Sequence, residues 1–189
     1  MLWTSPHGRT LPDWRDRTLL MGIVNLTPDS FSDGGKFIDP SSAAAHAEQL
    51  VAEGADVLDL GAESTRPGAV PVDPEQELAR LLPALREIRR RLPSVPISVD
   101  TRHISVAETA LGAGADILND VQGISAPDPK RPSLAHLAAT SGAPWILMHH
   151  VPLKEGEPVW PRVAEDARAA VAAAERAGVR RSQLWIDPG

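Results

Sequence analysis

Cysteine and tyrosine are absent from the 189 residues, and phenylalanine occurs only twice. Without cysteine the fold owes nothing to disulfides or thiolate-bound metals, and a cytoplasmic location is the simplest expectation. Long apolar runs are missing too: no stretch approaches the roughly 18 uninterrupted apolar residues of a membrane span. The amino-terminus lacks the basic, apolar, small-residue order of a secretory signal, because Pro12, Asp13 and Asp16 interrupt it early. Basic charge is not in excess. A formal net charge of -6 argues against general affinity for nucleic acid, since phosphate binding needs a basic face. The cluster Arg89–Arg91 is expected at a helix end, complementing the dipole and facing solvent. What is present, 42% hydrophobic and 23% charged residues, suits one globular domain with a sizeable core.

The chain is organised around Met21–Phe37, where an apolar run from Leu19 to Val24 changes within two residues into Asn, Thr, Pro, Asp, Ser and Gly. The run reads as a buried strand and the remainder as its C-terminal loop, with Asn25 at the junction. The same change recurs. Val57–Leu60 ends in the polar stretch Gly61–Gly68, Ile97–Val99 in Asp100, Ile117–Leu118 in Asn119 and Asp120, Trp145–Met148 in His149–His150, and Leu184–Ile186 in Asp187. Between these strands the pattern predicts helices. Pro40 with Ser41–Ser42 opens one through Ala43–Glu53, and Pro74 precedes another over Glu75–Arg91 with Leu78, Leu81, Leu82, Leu85 and Ile88 at helical spacing. Further helices are expected over 104–111, Ser133–Thr140 and Arg162–Ala177, the last after a loop at 151–160. Residues 1–18 read as an irregular lead-in or short hairpin without assigned chemistry, and 19–189 as the domain proper.

Six strands alternating with five helices imply a parallel sheet with right-handed crossovers. An open doubly wound sheet concentrates its ligand groups at one switch point, whereas here every strand end carries a polar group, the habit of a (β/α)8 barrel rim. No Gly-x-Gly-x-x-Gly or Gly-x-x-x-x-Gly-Lys-Ser/Thr segment supports a nucleotide-binding open sheet. The expected fold is therefore a TIM (β/α)8 barrel. The chain supplies about six of its βα units, because such barrels take about 250 residues.

By residue type, Asn25, Asp100, Asn119 and Asp187 offer short hydrogen-bonding side chains from four strands, with Met148 as a soft apolar surface beside them. Two carboxylates and two amides can accept from and donate to a flat heterocycle bearing ring N–H, amine and carbonyl groups. Phosphate would avoid Asp100 and Asp187 and seek Ser64, Thr65, Arg66 and loop N–H groups, helped by a metal held at Asn25. Local roles compete with these: Asp100 as a helix N-cap, Asp187 in an Asx-turn before Pro188-Gly189, Asp120 as a cap beside Asn119. Glu63 would orient a loop or pair with Arg66. A zinc pair at His149–His150 is disfavoured because adjacent strand residues face opposite ways. His46, His103 and His136 read as helix-surface or interface residues. No nucleophile elbow or Ser-His-Asp order supports covalent hydrolysis.

The segments Asn25–Gly35 (NLTPDSFSDGG), Glu63–Ala69 (ESTRPGA), Ser98–Thr101 (SVDT), Asn119–Val121 (NDV), Met148–His149 (MH) and Asp187–Gly189 (DPG) together resemble dihydropteroate synthase of folate biosynthesis. The resemblance implies a cytoplasmic, Mg2+-dependent transferase. It would condense 6-hydroxymethyl-7,8-dihydropterin pyrophosphate with 4-aminobenzoate to give 7,8-dihydropteroate and pyrophosphate. Carried over, Asp100, Asn119 and Asp187 correspond to pterin-reading groups and Met148 to the pocket wall. Asn25 corresponds to a metal and diphosphate contact, Thr65 and Arg66 to diphosphate contacts. Phe31 and Pro67 correspond to the residues flanking 4-aminobenzoate, where sulfonamides compete. Asp100 and Arg66 would carry the catalytic charge stabilisation. Two further functions share this resemblance, a non-catalytic pterin-binding paralogue and a methyltetrahydrofolate-type methyltransferase domain. The family's Ser-Arg-Lys and Arg-x-His segments, from its seventh and eighth strands, have no counterpart before Gly189. The isolated chain is therefore expected to be neither active nor a well-behaved monomer, and the resemblance implies a homodimer for the full-length protein. The stretch His149–Trp160 also departs from the family pattern.

Overall fold

The computed structural model describes residues 3–27, 39–64, 71–121, 134–150, 152 and 156–189. Six strands, β1 (Met21–Asn25), β2 (Val57–Gly61), β3 (Ile97–Asp100), β4 (Ile117–Asp120), β5 (Trp145–Met148) and β6 (Leu184–Asp187), form one sheet. All neighbours are parallel and the spatial order is the sequence order. A doubly wound sheet would reverse its order at a switch point, and this one never does. The fold is thus the (β/α)8 barrel type, represented by six of its units.

Five helices cover the outer face: α1 (Pro40–Ala52), α2 (Pro74–Arg91), α3 (Ile104–Gly112), α4 (Leu134–Ser141) and α5 (Val159–Arg176). The first two start alike, on an Asp followed by Pro. Asp39 accepts the N–H groups of Ser41 and Ser42, and Asp73 those of Glu75 and Gln76. Each cap stabilises its helix by about 1 kcal/mol. The capping group of α1 is thus Asp39, one residue before the Pro-Ser-Ser signal. Helix α5 begins three residues earlier than its sequence suggests, with Pro158 as N-cap and Pro161 in the first turn, where a missing N–H costs no helical bond. Pro83 sits inside α2, a position that leaves one backbone carbonyl without its helical donor.

Strand residues alternate between the two faces. Val24, Leu58, Leu60, Val99, Leu118 and Leu147 point outward and pack with Leu81, Leu85 and Ile88 of α2, Val106 and Leu111 of α3, and alanines of α1 and α4. Gly22 allows α1 to close on β1: a Cβ there would lie 3.1 Å from the Ala55 Cβ and 3.2 Å from the Leu50 side chain. The inner face has a much smaller apolar cluster, Leu11, Val57, Ile117 and Ile146, with Trp3, Leu19 and Trp185 against it.

Residues 3–18 are more than a lead-in. Thr4 and Thr10 form an antiparallel bridge, and Leu11 plugs the inner cluster at the sheet's N-terminal end. Arg9 donates to Asp116 at 2.9 Å and to the Pro93 carbonyl at 2.8 Å. Arg89 donates to the other Asp116 oxygen at 2.8 Å and to the Val95 and Gly114 carbonyls. Asp116 is fully buried and also accepts the Ile97 N–H at 3.0 Å. The expectation that Arg89 faces solvent is therefore corrected. It lies four residues after Leu85, on the buried stripe of α2, and serves as counter-ion to a core carboxylate. Among the described residues no helix is long and apolar enough to cross a membrane.

Candidate active site at the carboxyl ends of the strands

Register decides which side chains meet. Asn25 is paired with Gly61, Gly61 with Asp100, and Asp100 with Asn119. Asn119 is paired with Ile146, two residues before Met148, and Met148 is paired with Asp187. In-register parallel neighbours share a face, so Asn25, Asp100, Asn119, Met148 and Asp187 all lie on the inner face at the C-terminal end. Gly61 leaves the space above Asp100 open; a Cβ there would lie 3.5 Å from Asp100 Oδ2. Phe31, Thr65, Arg66 and Pro67 lie outside the described residues.

Asp100 does not cap a helix: the N-cap of α3 is His103, whose N–H is accepted by the Thr101 hydroxyl at 3.1 Å. Asp187 does form an Asx-turn, accepting the Gly189 N–H on Oδ1 at 3.0 Å, which fixes the carboxylate at the rim. Asp120 is the last residue of β4, far from the start of α4, so it caps no described helix. His149 is committed to Asp166 (3.0 Å), which also accepts from Arg162 at 2.8 Å. Arg162 first, and His149 after it, hold the Asp166 carboxyl below its ordinary range. That network ties β5 to α5.

Beneath the rim lies a carboxylate that strand patterning passes over. Asp59, in the middle of β2, is 7% exposed and accepts from Asn119 Nδ2 at 3.1 Å. This bond fixes the Asn119 amide so that its oxygen is the group left for a ligand's N–H. Burial pushes the Asp59 carboxyl up, against the pull of Ser98 and Asn119. Asp100 is pushed up to about 7, first by burial and then by the like charges of Asp59, Glu77, Asp120 and Glu63. Glu77, in the first turn of α2 and fully buried, is also pushed up to about 7, chiefly by burial; the Thr101 hydroxyl opposes this, and Glu63 adds to it. Neither Glu77 oxygen has a hydrogen bond of normal geometry.

While its alternative partner Arg66 lies outside the described residues, Glu63 takes the loop-orienting role expected of it. Its Oε1 accepts from Arg102 Nη2 at 2.5 Å and from the Val72 N–H at 3.1 Å. Glu63 and Val72 flank residues 65–70, so this carboxylate cinches the two ends of the second loop. His103 is not a surface residue: it sits half-buried between Glu63 and Glu77. The C-terminal end of the sheet is thus over-supplied with carboxyl groups, two of them raised to about 7. It is built to accept hydrogen bonds from a cationic or donor-rich ring and to repel a bare phosphate.

The chain matches the family model described as "Pterin binding enzyme" over residues 21–189. It is 43% identical over 176 residues to the dihydropteroate synthase of Bacillus subtilis, covering 93% of this chain and 60% of that one. The structure of Xanthomonas albilineans dihydropteroate synthase with 4-aminobenzoic acid superimposes with a TM-score of 0.85 at 42% identity, over 96% of this chain and 64% of that one. The Yersinia pestis synthase in complex with a sulfonamide drug superimposes with a TM-score of 0.84 at 33% identity, over 100% of this chain and 68% of that one. The chain therefore spans about 60% of the length of its curated relative from Bacillus subtilis, and it belongs to the pterin-binding enzyme family, the family of the dihydropteroate synthases it matches.

Proposed function

We propose that the protein is a dihydropteroate synthase, joining 6-hydroxymethyl-7,8-dihydropterin pyrophosphate to 4-aminobenzoate. The observation that carries this reading is the convergence of Asp100, the Asp59-fixed Asn119, Met148 and Asp187 on one face of the strand ends. It is supported by 42% identity to a synthase solved with 4-aminobenzoic acid. Asp100 and Asp187 accept the amine and ring N–H groups of the pterin, the Asn119 amide oxygen accepts a further N–H, and Met148 packs against the ring face.

In the reaction the aminobenzoate nitrogen forms a bond to the pterin's exocyclic methylene carbon. The carbon–oxygen bond breaks, pyrophosphate leaves with the bonding pair, and the amine's surplus proton passes to solvent. Ionised Asp100 stabilises the positive charge that develops on the pterin as the leaving group departs. Burial and neighbouring carboxyl groups raise the Asp100 pKa to about 7, and a donor-rich or cationic ring beside it would favour the ionised form. Arg66 and Thr65 take the diphosphate, and Phe31 and Pro67 flank the aminobenzoate. Asn25, exposed at the end of β1, presents a hard amide oxygen, which fits Mg2+ held largely by diphosphate oxygens and water. The ion would supply charge neutralisation on the leaving group. Residues 1–18 are proposed to close the bottom of this domain, and a homodimer is the proposed assembly.

The test is pyrophosphate release from purified protein that carries all eight βα units and is given both substrates, with the pteridine product identified by mass. Release that requires 4-aminobenzoate and yields dihydropteroate is the expected outcome. Pterin binding without release would replace this reading with a non-catalytic binder, and methyl transfer from methyltetrahydrofolate with a methyltransferase.

A further inference from the structure

Outside the rim, three side chains from three successive βα units converge. Glu63 lies two residues past β2, Glu77 in the first turn of α2, and His103 at the N-cap of α3. The His103 Nε2 lies 3.9 Å from Glu63 Oε2 and 4.0 Å from Glu77 Oε2, and one ligand atom from each of the three falls within 4.8 Å of the others. Glu77 has no exposed surface at all, and neither its oxygens nor the His103 Nε2 make a hydrogen bond of normal geometry; the Thr101 hydroxyl is a polar group that faces Glu77. Buried polar atoms are normally satisfied, so Glu77 Oε2 and His103 Nε2, facing each other with Glu63 Oε2 beside them, call for a further partner.

The guanidinium groups beside the cluster are already committed, Arg80 to the Ala62 carbonyl. Arg102 occupies Glu63 Oε1, leaving Oε2 turned toward His103 and Glu77. One imidazole nitrogen and two carboxylate oxygens are a common donor set for a borderline divalent ion, with a water in the fourth position. Ligand atoms about 3.3 Å apart would close a tetrahedron around a zinc-sized ion. The two histidine–carboxylate separations exceed that by less than an ångström, within reach of side-chain rotation.

We propose that Glu63, Glu77 and His103 form a binding site for one divalent transition-metal ion of the zinc class. The site includes none of the rim residues and is separate from the Mg2+ position at Asn25. Because Glu63 also holds the Val72 N–H, an ion here would lock the two ends of the second loop to the starts of α2 and α3.

The test is titration of chelator-treated protein with Co2+, followed by visible absorption, with Zn2+ as competitor. One equivalent should bind with the intense bands of a low-coordinate site, and Zn2+ should displace it. His103→Gln and Glu77→Gln should each weaken binding at least tenfold, while Asn25→Ala should leave it unchanged. Should either variant fail to fold, a paramagnetically shifted imidazole signal in the wild-type Co2+ protein identifies the histidine directly. Absence of saturable one-equivalent uptake, or uptake without an imidazole signal, would overturn the proposal. Neither result depends on turnover, so the site and the synthase reading stand or fall separately.

Discussion

The two faces of the sheet are built to opposite standards. Outward-pointing Leu58, Leu60, Val99 and Leu118 are buried under the helices in one apolar cluster. Inward, on the same strands, stand Asp59, Ser98, Asp100 and Asn119, while Met21 and Ile23 at the β1 edge are 37% and 59% exposed. Two-residue alternation thus separates stability from chemistry within single strands: one face holds the fold together, and the other carries charges that oppose it.

The largest break in this contrast should come from the outer face. Leu85→Ala removes a fully buried side chain from the α2 stripe and is expected to lower the unfolding free energy by about 2–5 kcal/mol, read from urea denaturation. On the inner face the sign should reverse. Asp100→Asn removes a charge that burial and four neighbouring carboxyl groups disfavour, and should stabilise the protein by about 1–3 kcal/mol at pH 8. In the proposed reaction, catalysed by protein with all eight βα units, the same change should cost about 100-fold in turnover, since the developing positive charge loses its counter-charge. Equal or lower stability of the variant at pH 8 would mean that the inner face is not held under electrostatic load.

The pH dependence sharpens the point. Asp100 rises from an ordinary 3.8 to about 7, and Glu77 from 4.5 to about 7. Below about pH 4 both groups are largely protonated in the folded and unfolded chains. Between about 4 and 7 the unfolded chain ionises first, so their contribution to stability declines as pH rises, and above about 7 it levels off. Lowered carboxyl groups such as Asp56 act in the opposite sense at acid pH. The difference between wild type and Asp100→Asn isolates the inner-face share: it should be small at pH 4, grow to pH 7 and then stay constant. The smallest effect should be that of Ile23→Thr, within about 0.5 kcal/mol by thermal denaturation, because this inward side chain is already mostly in water.

Much of this arrangement was legible in the sequence. Each apolar run stops at a polar residue, and helix spacing between the runs fixes a parallel sheet, so Asn25, Asp100, Asn119, Met148 and Asp187 could be assigned to one rim before any coordinates. What stayed hidden were charges inside elements. Glu77 lies four residues before Leu81, and Arg89 four after Leu85, both on the apolar stripe of α2; their phase marked them as inward, but their side-chain type read as solvent-facing. Asp59 was concealed because alternation in so short a run as Val57–Leu60 cannot be told from continuous burial. The loop-orienting role of Glu63 was legible from its place after β2, but its partner Arg102 was not, because the parallel sheet delivers that side chain from the next unit.

The Arg9–Asp116 pair has a consequence for how the chain is made. Its members are 107 residues apart in sequence. At ribosomal rates of about 5–20 residues per second, Arg9 emerges roughly 5–20 seconds before its partner has been synthesised. During that interval the amino-terminal hairpin has no buried carboxylate to dock on, and Trp3 and Leu11 remain without the surfaces of β4 and β5 that later cover them. A segment made more than a hundred residues before its partner is thereby among the last to settle, and a nascent chain paused before residue 116 would carry it exposed to whatever chaperone or protease meets it first.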